Sequence, residues 1–280
     1  MKLTVWGARG STPVSGHEYV RYGGDTTCME IVTNDGQTFI LDAGTGVRRL
    51  GNLLLKDKRE KVTFLLTHAH WDHLLGLPFF KFMYRPGNVV EFHGCRCATK
   101  SIRSILKTTM QPPFFPVEFH DVAADIIIGD NDGDELQIGN FNCRLLPLSH
   151  PDGGCGFIFD EGGPTIAFLP DNEPEFDHPG GLSYDQYVEA FRGVDLLFHD
   201  GEYLPREYEA FSKGWGHSIY LETIRLALDA GVKQLVLWHI NQDRTDEQAD
   251  EMLVHAREVI RDAGSDMTCH IAYTGMKFEL

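Results

Sequence analysis

Val62-Thr63-Phe64-Leu65-Leu66-Thr67-His68-Ala69-His70-Trp71-Asp72-His73 decides the fold: an apolar run that ends in four side chains able to ligate a metal. The run Val62–Leu66 is almost continuously apolar, as a strand buried on both faces requires. His68 and His70 are two residues apart and point the same way from an extended segment. Asp72 and His73 fall in the following turn, where adjacent residues diverge toward a second point, before a helix opening on Leu74-Leu75-Gly76. Four donors within six residues can hold two metal ions side by side. Imidazole with an occasional carboxylate suits zinc first, and manganese or iron less selectively.

Outward from this stretch, the first half of the chain reads as strands. Leu3–Trp6, Met29–Thr33, Thr38–Leu41 and Val89–His93 are short apolar or alternating runs bounded by Gly or charged residues. Asn34-Asp35-Gly36 marks a hairpin. Helices are expected over Gly46–Leu55 and Lys100–Lys107, the second stopped before Pro112-Pro113. A second set of strands follows at Ile126–Ile128, Glu135–Ile138, Phe141–Leu148, Gly156–Phe159 and Thr165–Leu169. The last third alternates: helix Tyr184–Phe191, strand Asp195–His199, helix Ile219–Ala230, strand Gln234–Trp238. Thr245-x-x-Gln248 is a capping box opening a helix that Gly264 stops, and Met267–Tyr273 closes the chain as a strand. Two strand sets with interspersed helices predict a four-layer αββα sandwich. No Pro/Ser-rich linker or repeat divides the sequence, so one domain over 1–280 is expected.

The 280 residues include 41 Asp+Glu against 25 Lys+Arg, a formal charge of −16. That balance argues against a broad basic track for polymeric nucleic acid and against docking on anionic lipid. No run approaches a membrane span and the N-terminus lacks a signal-peptide core. The six cysteines (28, 95, 97, 143, 155 and 269) read as reduced thiols of a cytoplasmic protein. Cys95-x-Cys97 lacks nearby thiolates to complete a zinc site.

His-x-His-x-Asp-His after a strand resembles the signature of the metallo-β-lactamase superfamily, and further segments match its pattern. His150 in Leu148-Ser149-His150-Pro151, Asp171 in Leu169-Pro170-Asp171 and His239 in Leu237-Trp238-His239 each follow an expected strand. The resemblance implies that His68, His70 and His150 hold one ion, that Asp72, His73 and His239 hold the other, and that Asp171 bridges them. Asp42 matches the family's buried acid behind the site. Phe198-His199-Asp200-Gly201-Glu202-Tyr203 and Gly214-Trp215-Gly216-His217-Ser218 are similar to segments of the ribonuclease Z-like phosphodiesterases. There the histidine carried here by His217 faces the substrate phosphate and the acid carried by Asp200 orients it, while His199 is expected in the core. His217 also precedes the expected helix at Ile219, whose first amides favour an anion.

The implied function is two-metal hydrolysis of a small anionic phosphodiester, such as a cyclic phosphodiester or cyclic nucleotide, with Asp72, His217 and Asp200 as the residues closest to the chemistry. Zinc is the expected metal, with manganese or iron as alternatives, and a homodimer is compatible with the branch. Ribonuclease Z proper carries a long arm between the residues matching His150 and Asp171, and only 20 residues intervene here. A tRNA 3′-processing endonuclease is therefore disfavoured. A lactone, thioester or other carbonyl hydrolase on the same fold is the principal alternative. Arg9, in a Gly-rich turn, is a candidate phosphate contact. His17 and His178 sit in loops that could overhang the site, and Asn172–Gly181 is a candidate lid.

Overall fold

The apolar run at 62–66 forms the inner part of a strand with neighbours on both sides. The computed structural model describes residues 1–94, 102–129 and 134–280. Strands β1 (Lys2–Gly7), β2 (Cys28–Val32), β3 (Thr38–Leu41), β4 (Lys61–Leu66), β5 (Val89–Gly94), β6 (Asp125–Ile128) and β14 (Lys277–Glu279) build one seven-stranded sheet, ordered β14-β1-β2-β3-β4-β5-β6. The second sheet contains β7 (Glu135–Ile138), β8 (Phe141–Pro147), β9 (Cys155–Asp160), β10 (Ile166–Leu169), β11 (Leu196–Asp200), β12 (Gln234–Trp238) and β13 (Thr268–Ile271), in the order β13-β12-β11-β10-β9-β8-β7. Strands β3 to β6 run parallel, as do β10 to β13, and the remaining pairs are antiparallel.

Side-chain alternation sorts each strand between two cores. Phe39 and Leu41, Phe168, Phe198, Val236 and Trp238 meet between the sheets. Ile40, Phe64 and Leu66 face outward onto helix α1 (Val47–Lys56) and α3 (Ile102–Thr109). Leu197, Leu235 and Leu237 face the opposite way, onto α4 (Tyr184–Phe191), α6 (Tyr220–Asp229) and α7 (Asp246–Asp262). Both faces of each central strand are covered, so the expected four-layer αββα sandwich is the observed one. Two further helices are short: α2 (Trp71–Leu74) and α5 (Pro205–Glu207), the latter continuing into a wider turn at Tyr208–Ser212.

Some expectations require correction. The closing strand is β14, not Met267–Tyr273; it adds to the first sheet by pairing Leu3 with Phe278. The helix expected at Leu74 begins at Trp71 and ends by Leu74, giving way to single turns at Leu77–Phe79 and Lys81–Tyr84. Cys95-x-Cys97 and the start expected for the helix at Lys100 lie outside the described residues. Cys28, Cys143, Cys155 and Cys269 are buried free thiols. Among the described residues no helix is long and apolar enough to cross a membrane.

Candidate metal centre

All the ligand-type residues lie beyond the carboxyl ends of strands pointing one way in their sheets, where open α/β sheets place their sites. His68 and His70 follow β4, with Asp72 and His73 in α2; His150 follows β8, Asp171 follows β10, and His239 follows β12. The fold thus gathers side chains from four distant segments into two groups whose donor atoms lie within 4.8 Å of one another: His68, His70, His150 and Asp171, and Asp72, His73, Asp171 and His239.

The separations suit metal coordination. His73 Nε2 is 3.1 Å from Asp171 Oδ1 and 3.3 Å from Asp72 Oδ2, and His239 Nε2 is 3.1 Å from Asp72 Oδ2 and 3.4 Å from Asp171 Oδ2. His68 Nε2 lies 3.5 Å from Asp171 Oδ2. Donors placed tetrahedrally at 2.0–2.1 Å from a zinc ion are about 3.3 Å apart. His68 Nε2, His73 Nε2 and Asp171 Oδ1 are buried without a hydrogen-bond partner, an arrangement that an ion would satisfy.

The opposite ring nitrogens are tied down, which fixes tautomer and orientation. His73 Nδ1 donates to Asp42 Oδ2 at 2.7 Å, His150 Nδ1 to the Gly216 carbonyl at 2.9 Å, and His239 Nδ1 to Glu202 Oε2 at 2.8 Å. His68 Nδ1 lies 3.0 Å from Thr67 Oγ1, which itself donates to Asp42. Asp42 therefore holds two rings from behind and contributes no donor to either group. Asp42 and His239, directly after β3 and β12, both adopt the left-handed conformation, with φ of 56°. That strain, of order 1–3 kcal/mol for each non-glycine residue, lies where the site needs its side chains turned inward.

Burial pushes His68 well below its ordinary value and His150 down to about 3, leaving both neutral, the form that binds metal. At His73 and His239 burial acts the same way but is outweighed by Asp171 and its neighbouring carboxylates, which raise both well above the ordinary value. Without an ion these two rings hold protons that a metal displaces.

His217 Nδ1 donates to Asp200 Oδ2 at 2.7 Å and lies 3.5 Å from Glu202 Oε2. Its ring stacks on His239, with centroids 4.4 Å apart and planes at 20°, and meets His150 edge-on at 5.2 Å. Burial disfavours its cation, but Glu202 and Asp200 outweigh burial and raise it to about 9. His199 is fully buried beside Asn172, as expected of a core residue.

Other expectations fall away. Arg9 is buried and its guanidinium donates to the carbonyls of Gly23, Asn241 and Arg244, so it is a clamp on the chain and no phosphate contact. The amides of Tyr220 and Glu222 donate to the carbonyls of Tyr203 and Ile219, so the start of α6 is largely satisfied internally and does not act as the expected anion seat. His17 is fully exposed beside Glu18. The stretch 172–181 is tied to Ser149 at two points, where the Glu173 amide donates to its carbonyl and its Oγ donates to the Phe176 carbonyl, while the Gly181 amide closes a turn on His178.

Two functional-looking residues escaped the sequence reading. Glu202 supports His239 and faces His217. Glu173, fully buried, accepts from four donors: Tyr208 Oη and the Gly214 amide on Oε1, and His178 Nε2 and the Gly216 amide on Oε2. It thereby fastens the segment that presents Gly216 and His217. Its charge and its place beside Asp171 were the only signals available.

The fold and the paired donor groups define a metallo-β-lactamase-type protein, and a model of the beta-lactamase superfamily domain matches residues 37–240. The chain belongs to that superfamily. It is 25% identical to ribonuclease Z of Gemmatimonas aurantiaca over 84% of this chain and 88% of that one. In structure it is similar to the metallo-β-lactamase fold protein YhfI of Bacillus subtilis, with TM-score 0.69, 18% identity and coverage of 100% and 99%. It is also similar to a diphosphatase of the PhnP family, with TM-score 0.68, 19% identity and coverage of 100% and 97%.

Proposed function

We propose that the protein is a metal-dependent phosphodiesterase acting on a small anionic substrate, a cyclic phosphodiester or cyclic nucleotide. The observation that carries this reading is His217, hydrogen-bonded through Nδ1 to Asp200, close to Glu202 and stacked on His239 of the paired donor set. When bound, two divalent ions supply Lewis acidity toward phosphoryl oxygens and a water acidified to about pKa 7. Zinc is the proposed metal. His68, His70, His150 and Asp171 would hold one ion and Asp72, His73, His239 and Asp171 the other. The Ser11 amide donates to Asp72 Oδ2 at 3.0 Å and keeps that carboxylate between His73 and His239.

The chain's own part in the reaction centres on His217. Asp200 takes its Nδ1 proton in a hydrogen bond, so Nε2–H is the proton available to a departing alkoxide. The stacking on His239 keeps that donor beside the donor set. A small substrate is supported by three features: the acidic balance, the diphosphatase among structurally similar proteins, and the segment between His150 and Asp171. That segment is a tight hairpin of β9 and β10 in place of the arm carried by ribonuclease Z. The buried thiols are in keeping with a cytoplasmic location.

Metal-loaded protein is expected to hydrolyse bis(p-nitrophenyl) phosphate and at least one cyclic nucleotide, with p-nitrophenyl acetate and a lactone run alongside. His217→Ala is expected to retain metal and to lose about 10²- to 10⁴-fold in kcat on the cyclic nucleotide. Turnover of the carbonyl esters without any diester hydrolysis would transfer the assignment to a carbonyl hydrolase.

A further inference from the structure

A pocket of about 260 Å³ opens between α2 and α3, lined by Ala69, Trp71, Leu74, Ser104, Ile105, Thr108 and Thr109. It adjoins the donor set in the chain itself: Ala69 lies between His68 and His70, Trp71 between His70 and Asp72, and Leu74 follows His73. Among the described residues no charged side chain lines it. Its floor is aliphatic, and the Trp71 indole is 59% exposed although its neighbours Asp72 and His73 are buried. Thr108 Oγ1 and Thr109 Oγ1 donate to the Ser104 and Ile105 carbonyls of their own helix, so each hydroxyl oxygen remains an acceptor at the pocket wall.

We propose that this pocket seats the flat, uncharged group esterified to the phosphate, a nucleobase or an aryl ring, stacked on Trp71. The assignment rests on the phosphodiesterase reading and narrows its substrate to a diester with one neutral ring. Chemistry and size agree. Ligand pockets for drug-sized molecules span roughly 300–1,000 Å³, so this one takes a single ring system and leaves the charged phosphate outside it. An indole face accepts any base, and threonine oxygens accept from the N–H groups at a base's edge.

The test compares two diesters sharing one leaving group, thymidine 5′-(p-nitrophenyl) phosphate and methyl p-nitrophenyl phosphate. The wild type is expected to favour the nucleoside ester by roughly 5- to 150-fold in kcat/KM, the range that stacking on one aromatic ring provides. That ratio is expected to fall toward one in Trp71→Ala and in Ser104→Trp, which fills the pocket from the helix side. Independently of turnover, adenosine is expected to quench the fluorescence of Trp71 in a Trp215→Phe background, which removes the other well-exposed indole. Equal kcat/KM for both esters, or a ratio that survives both variants, would overturn the assignment. Hydrolysis of neither ester would overturn the reading of the reaction instead, and the quenching titration would still decide the pocket: no quenching by adenosine refutes it.

Discussion

Glu173→Gln tests whether the site depends on a residue that touches no reacting atom. The wild-type carboxylate accepts four hydrogen bonds, two on each oxygen, with three of them at 2.7 Å. The amide turns one oxygen into an NH₂ group. Whichever oxygen is replaced, two donors then face a donor. Losing two charge-assisted bonds at about 1.5–3 kcal/mol each gives a local loss of about 3–6 kcal/mol. The cheapest escape is for the stretch from Tyr208 to Gly216 to lift, because it supplies three of the four donors. Global stability should then fall by less than the local loss; about 3 kcal/mol corresponds to a Tm lower by about 6–12 °C. Lifting withdraws the Gly216 carbonyl from His150 and moves His217, and misplacement of about 1 Å costs on the order of 10²-fold in rate. The assay is kcat on two diesters differing in leaving group, one p-nitrophenolate and one ribose alkoxide. If Glu173 positions His217 as an acid, the alkoxide ester suffers at least tenfold more, since p-nitrophenolate leaves without a proton. Equal proportional losses on the two esters, or wild-type Tm and rates, would refute the reasoning.

Removing bound metal with a chelator is expected to lower Tm by roughly 8–16 °C in a differential scanning experiment, since an ion at 1,000 times its Kd contributes about 4.1 kcal/mol; an unchanged Tm would show that the paired groups hold no ion. Gly216→Ala is expected to weaken binding of one ion at least tenfold in a competitive titration, because Gly216 has φ of +92° and a Cβ there would lie 2.0 Å from His150 Nδ1; two ions bound with wild-type affinity would contradict the close approach. Burial and the neighbouring Glu173 push Glu222 up to about 7. A carboxyl raised in the folded state leaves stability intact below its unfolded value near 4.5 and reduces it as pH rises through 7. Glu222→Gln is therefore expected to raise Tm relative to wild type at pH 8 and to leave it nearly unchanged at pH 4, and melts showing no such pH dependence would count against it.

The sheets were legible because their central strands are covered on both faces and appear as apolar runs, Val62–Leu66 and Gln234–Trp238 among them. The paired donor groups were legible because each contributing segment comes soon after such a strand. Strand β14 was not, since Lys-Phe-Glu is too short and too polar to show a period, and only its pairing with β1 makes it a strand. The shell behind the donors was equally hidden. Glu202 and Glu173 are charged residues in Gly- and Pro-rich segments, and charged residues in such segments are ordinarily exposed. Their burial depends on partners 35 to 43 residues away for the hydrogen bonds from Tyr208, Gly214, Gly216 and His239. Arg9 misled for the complementary reason: a Gly-rich turn with an arginine suits a phosphate loop, but three carbonyls brought in by the fold take up its donors.

Those hidden acids are suited to gathering cations inside an acidic protein. Asp42, Asp72, Asp171, Asp200, Glu173 and Glu202 are all buried within one region. Each would be expensive alone, since an unpaired buried carboxylate costs several kcal/mol. Here Glu173 is satisfied by four donors of the chain, and Asp200 accepts a hydrogen bond from His217. Asp42 and Glu202 face imidazole N–H groups, which leaves Asp72 and Asp171 aimed at one another's histidines with an acceptor still unsatisfied. Protons on His73 and His239 would match that charge but leave Asp171 Oδ1 and His73 Nε2 without a hydrogen-bond partner, whereas ions between the donors would engage them. The buried carboxylates therefore favour cations at the centre of the fold. Such cations would draw in an anionic phosphate that the acidic balance of the chain otherwise repels.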